Sequence, residues 1–325
     1  MYRKAFDRSL FSRVVCSVIA LTLAFALAAT MGGCLAPFRR PAPPTTPTRR
    51  LQGTEPTITV FLHDKNQKTQ MKLETYLEGV VAGEIGPNFP AEALAAQAIL
   101  ARTFTVQRIE QMGGTQKLHG TDVCTDPAHF QAYDASKVND AIRNAVKASR
   151  GQIITATGLP AVAFFHSNSG GMTATADEGL AFKEQATPYL TPVKDTLKDT
   201  MPWTATFSTQ EVSNALKTLG KQVSSVTAVR IGSKGPSGRA LDIVVGSQAV
   251  SAPALRNQLG PEKMRSTLLD SVTLSGGKIT MKGKGWGHGV GMSQDGARVL
   301  AEQGKKAAEI ITYYYKGVSL TSRWK

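Results

Sequence analysis

"MKLETYLEGVVAGEIGPNFPAEALAAQAILARTFTVQRIEQM", residues 71–112, holds two helical patterns divided by a break. In the first, Leu73, Tyr76, Leu77, Val80 and Val81 recur at spacings of three and four, the apolar stripe of a helix that packs on one side. Extended by three residues, the stripe arrives at Glu84, so the pattern puts a carboxylate on the face the helix buries. The break "IGPNFP" ends this helix. From about Pro90, a residue suited to a first helical turn, a second pattern runs to the stop at Gly113 and Gly114.

Working outward, "TITVFLH" reads as a strand before the pair and "ASKVNDAIRNAVKAS" as a helix after it, ending before Gly151. "QIITA" and "AVAFFHS" read as strands about a turn with Gly158 and Pro160, and a capping box at Ser208 and Glu211 opens the helix "TQEVSNALKTL". The strands "SVTAVRIG", "ALDIVVG", "LDSVTLS" and "KITMKG" follow, then a helix "QDGARVLAEQ" capped by Ser293, and a last helix in "AAEIITYYY". Regular alternation of strand and helix is absent. The expected fold is therefore α+β, with helices and antiparallel strands around a central groove, in one lobe or two.

The first 50 residues form a different material. Arg3, Lys4, Arg8 and Arg13 precede an uncharged span from Val14 to Phe38, the plan of an export signal or of a membrane anchor. "MGGC" before Cys34 is an imperfect lipidation box, and lipid on Cys34 is the alternative tether. Residues 1–34 are thus a signal or anchor segment, 35–56 a linker rich in proline, threonine and arginine, and 57–325 the folded domain. The expected location is the cell envelope, on the outer side of the cytoplasmic membrane.

Half of the net charge of +14 resides in residues 1–50, which hold eight Lys/Arg against one acidic residue. The remaining +7 is spread over a domain with no basic cluster interleaved with aromatics. An anionic envelope polymer suits that balance, and nucleic acid does not. Of the three cysteines, only Cys124 belongs to the folded part, so no disulfide forms within it.

Four features carry candidate chemistry. Glu84 on an apolar face would have its ionised form disfavoured and could act as a general acid, unless a buried cation such as Arg102 pairs with it. "FFHSNSGGMT", residues 164–173, offers His166 and Ser169 in a polar loop, but the chain lacks Gly-x-Ser-x-Gly and with it a serine-hydrolase elbow. Cys124 and His129, five apart, are of zinc-binding type, yet two ligands fall short of a site. "KGKGWGHGVGMSQDGA", residues 282–297, alternates glycine from Gly283 to Gly291 and reads as a strand with one bare face. Trp286 and His288 would project from the other face towards a groove. Either a ligand or the protein's own packing would account for the glycines.

Together, "GVVAGEIGPNFPAEALAAQAILARTF", "FFHSNSGGMT" and "GWGHGVGMSQDGA…YYYKG" resemble the stage II sporulation protein D family over roughly residues 57–320. The resemblance implies a peptidoglycan lytic transglycosylase, a lyase with Glu84 as its acid, or an amidase enhancer without catalysis of its own. It implies glycan strands as the partner, a cell-wall amidase as a second one, and a substrate groove lined by Arg102, His166, Ser169, Trp286, His288 and Gln294. No cofactor is required for that reaction. Some relatives hold zinc through Cys-x4-His-Cys; Cys124 and His129 match its first two positions, Phe130 replaces the last cysteine, and His119 is one residue off the spacing of a further histidine.

Overall fold

A computed structural model describes residues 50–223 and 225–325. The export or anchor segment with Cys34, and the linker up to residue 49, lie outside the described residues.

Strand β1 (Thr57–Leu62) turns back through Asn66 into β2 (Gln67–Lys72), and β2 passes without a loop into helix α1 (Leu73–Glu84). Lys72 is the last extended residue and the helix cap at once. All five residues of the predicted stripe are fully buried. Helix α2 (Ala91–Met112) follows, with Pro90 at its cap as the sequence predicts.

Helix α2 is the spine. Leu94, Ala98, Ala101 and Val106 join α1 and β1 in one apolar core, while Ala93, Ala96, Ile99 and Leu100 join Ile310, Ile311, Tyr314 and Tyr315 in a second. Its many alanines let neighbours approach from both sides, which explains why a helix this buried has no clean amphipathic stripe. A third core belongs to residues 203–281, where strands Pro202–Ser208, Lys278–Lys284 and Leu269–Ser275 form an antiparallel sheet. The architecture is α+β with small, mostly antiparallel sheets.

Two short parallel pairings place chemistry. β1 pairs with β3 (Val123–Cys124) so that Phe61 lies beside Cys124. Met292–Ser293 pairs with Phe165–His166, setting Ser293 beside His166. Among the described residues, no helix is long and apolar enough to cross a membrane.

Three expectations need correction. The helix over 135–149 begins later, as Asp140–Ala148, because the Asn139 side chain accepts from Ile142 N and caps it there. "AVAFFHS" is a strand only at Phe165–His166. The glycine-alternating stretch is no flat strand: the strand ends at Lys284, and Gly285, Gly287, Gly289 and Gly291 all have positive φ.

That last correction answers why the glycines are there. A Cβ on Gly291 would lie 2.0 Å from Phe164 O, and one on Gly285 2.7 Å from Asn168 O. What approaches the bare backbone is the protein's own 164–170 segment at Gly285, Gly287 and Gly291, and the Arg239 guanidinium at Gly289. Trp286 and Asn168 seal the contact by exchanging backbone hydrogen bonds of 2.8 and 2.9 Å. Two motifs far apart in sequence thus form one interlocked unit, and left-handed backbone at alternate positions is what only glycine supplies cheaply.

Candidate functional site

Glu84 is the last residue of α1. Gly79 and Gly83, four apart on that helix, leave a furrow into which Tyr133 fits; a Cβ on Gly83 would stand 2.7 Å from Tyr133 N. Because the furrow draws the 131–134 segment against the helix, the Ala132 N–H reaches the Glu84 carboxylate at 2.8 Å. Among the described residues no Lys or Arg pairs with it. Burial pushes the Glu84 carboxyl from its ordinary 4.5 up to about 7, and the Ala132 hydrogen bond opposes but does not cancel that shift. Near neutrality a large fraction of it is protonated.

Gln294, the first residue of the helix Gln294–Glu302, donates to the Glu84 carbonyl and to Gln97 Oε1, both at 3.3 Å. Its neighbour Ser293 is paired with His166. Glu84, Gln294 and His166 are therefore brought into one neighbourhood from three distant parts of the chain.

His166 is buried, and its Nδ1 contacts Val290 O at 3.1 Å. A carbonyl only accepts, so Nδ1 carries the proton and Nε2 presents a lone pair, which has no partner in the structure. The His288 ring lies 5.6 Å away. Burial, then the Arg256 and Arg239 charges, hold His288 down to about 3, and burial with His288 holds His166 well below its usual range. Both are neutral hydrogen-bonding groups at physiological pH.

The remaining predicted groove residues are placed differently. Arg102 is fully buried and makes a two-point contact with Glu74, Nε to Oε1 at 3.0 Å and Nη2 to Oε2 at 2.6 Å. It neither lines a groove nor pairs with Glu84. Ser169 is fully buried, donating to Asp195 Oδ2 at 2.7 Å, and so supports the loop from within. Trp286 has the Arg265 guanidinium over its ring at 4.7 Å, which occupies a face that a sugar would use. Two open clefts, of about 290 and 500 Å³, are lined by neither Glu84 nor these residues.

Cys124 and His129 do come together, Sγ to Nδ1 at 3.8 Å. A donor the sequence did not suggest joins them: His63 lies just past β1, and its imidazole, with Cys124 Sγ and His129, falls within a 4.8 Å span. His119 Nε2 stands 3.1 Å from His129 Nδ1. Sequence reasoning also missed Ala132, the Gly79 and Gly83 furrow and Glu74; the two glycines four apart on α1 were the available signal.

The protein is thus of α+β type and holds, beside neutral polar groups, a half-buried helical carboxyl with no cation partner among the described residues. A family described as "Stage II sporulation protein" matches residues 63–155, and a domain of unknown function (DUF8618) matches 196–291. The chain is 33% identical to a stage II sporulation protein D of Bacillus amyloliquefaciens over 84% of its own length and 83% of the relative's. It is 30% identical to the Bacillus subtilis protein of the same name, over 83% of this chain and 80% of that one. An amidase enhancer of Bacillus subtilis is 29% identical, over 76% of this chain and 40% of the relative. The chain belongs to the stage II sporulation protein D family.

Proposed function

We propose that the protein is a lytic transglycosylase of peptidoglycan, cutting the β-1,4 bond after N-acetylmuramic acid in glycan strands free of stem peptides. The observation that carries the reading is the Glu84 carboxyl, raised to about 7 by burial and without a cation partner. Protonated Glu84 gives its proton to the glycosidic oxygen as the bond to C1 breaks. The muramic C6 hydroxyl then bonds to C1, and its proton passes to the Glu84 carboxylate, restoring the acid. The product is a 1,6-anhydro end, no water is consumed, and one carboxyl suffices where hydrolases commonly use two. The neutral His166 Nε2 is a buried acceptor without a protein partner among the described residues. The domain would work outside the cytoplasmic membrane, tethered by the N-terminal segment or by lipid on Cys34.

Glu84→Gln is expected to abolish release of anhydro-ended fragments from peptide-free glycan, a loss of about a thousandfold or more, with the circular dichroism spectrum unchanged. In the wild type, kcat/KM is expected to fall as pH rises through about 7, where the acid loses its proton. Full activity in the Gln variant would remove Glu84 from the mechanism. The name of the amidase enhancer relative supports a second reading, a glycan-binding protein that stimulates a separate amidase. Mass spectrometry of glycan incubated with the purified protein alone separates the two: absence of anhydro products, with intact glycan binding, selects the second.

A further inference from the structure

We propose that His63 is a ligand of a structural zinc ion, replacing from a distant part of the chain the cysteine whose place Phe130 occupies. β1 and β3 pair in parallel with Phe61 beside Cys124, so the residues that follow each strand leave the sheet side by side. The His63 N–H donates to Thr125 Oγ1 at 2.9 Å, which fixes the turn after β1 against the turn after β3. The 61 positions separating His63 from Cys124 are thereby cancelled, and His63, Cys124 and His129 converge within 4.8 Å.

The geometry fits the ion. Around tetrahedral zinc, with bonds of about 2.3 Å to sulfur and about 2.0–2.1 Å to nitrogen, donors stand about 3.3–3.6 Å apart. Cys124 Sγ to His129 Nδ1 is 3.8 Å and His119 Nε2 to His129 Nδ1 is 3.1 Å, both within a few tenths of an ångström of that spacing. His63 has to close by about an ångström, and its side chain, 40% exposed, now faces Asp126 Oδ2 at 3.4 Å. His119, close to His129 but outside the group of three, is the nearest further nitrogen and would have to turn inward to complete a four-donor site.

Supporting groups are also in place. The Asp126 N–H points to Cys124 Sγ at 3.4 Å, the type of contact that favours a thiolate. Asp126 Oδ2 lies 3.4 Å from His63 Nε2 and 3.7 Å from His129 Nδ1, adding negative charge beside the ion. Phe61 stacks on His119 with ring centroids 4.2 Å apart and sets its plane. Phe130 packs edge-on to Phe104 at 5.2 Å, so the position that could have carried a sulfur ligand is committed to packing. On binding, the Cys124 thiol proton leaves to solvent as the zinc–sulfur bond forms.

The full chain, purified in detergent, is titrated with zinc and, separately, with cobalt(II). One metal per chain is expected, with the thiolate charge-transfer and ligand-field bands of a tetrahedral cobalt site. His63→Ala should weaken zinc affinity about a hundredfold or more, taking the loss of a direct ligand to exceed that of a supporting one. Phe130→Cys on the His63→Ala background should restore tight binding. Failure of the wild type to bind zinc, or His63→Ala binding as tightly as wild type, overturns the proposal. Metal stoichiometry and spectra do not depend on glycan cleavage, so the outcome leaves the transglycosylase reading to its own test.

Discussion

Helix α1 carries three carboxylates, and the two at its ends, Glu74 and Glu84, ten positions apart, have surroundings that differ in kind. Glu74, in the first turn, accepts from Arg102 at 3.0 and 2.6 Å, from Gly151 N at 3.0 Å and from Trp324 Nε1 at 2.7 Å. Glu84, at the last turn, accepts one backbone N–H and meets no cation among the described residues. The first is saturated, and its charge is what the core is built to hold. The second keeps a proton because nothing nearby compensates its ionisation. One helix thus shows how burial with partners makes an acid structural, while burial without a cation makes it hold its proton more tightly.

Removing the saturated acid gives the largest effect. Glu74→Gln leaves the Arg102 charge buried and unpaired, and stability is expected to drop by about 3–5 kcal/mol in chemical denaturation. A loss below about 1 kcal/mol would mean that the pair is not the anchor described here.

The same substitution at the other end should act with opposite sign. The Glu84 carboxyl is raised in the folded state, so the native protein binds more protons than the unfolded one between about 4.5 and 7, and stability declines as pH rises through that window. Glu84→Gln has no such decline. Relative to wild type it should gain about 3 kcal/mol at pH 8 and almost nothing at pH 4, read from denaturation at both values. Activity and stability then move in opposite directions at a single residue.

A smaller change sharpens the contrast without touching either acid. Gly83→Ala forces the Tyr133 backbone away from α1 and draws the Ala132 N–H off Glu84. That bond favours the ionised form, so its loss should raise the Glu84 pKa further, visible as an upward shift of the falling limb of kcat/KM against pH.

The sequence made Glu84 legible through period alone, since a stripe of residues at three and four spacing fixes which face is buried. It made α2, the Ser208 capping box and the sheet of 269–284 legible for similar local reasons. It misled at the glycine-alternating stretch, because period two in glycine also arises when alternate residues need positive φ and another segment threads past them. Arg102 was a sensible partner for a buried acid, but its actual partner is Glu74 rather than Glu84, a choice made by tertiary packing. His63 was invisible for a related reason: only the parallel register of β1 and β3 brings it to Cys124.

Everything proposed for the site rests on Glu84 being a half-buried acid without a compensating charge among the described residues. Selective ¹³C labelling of glutamate, with Glu84→Gln to assign the resonance, gives its titration curve directly in the folded protein. A midpoint near 7 is expected. A midpoint near 4.5, the ordinary value of the residue, would contradict it.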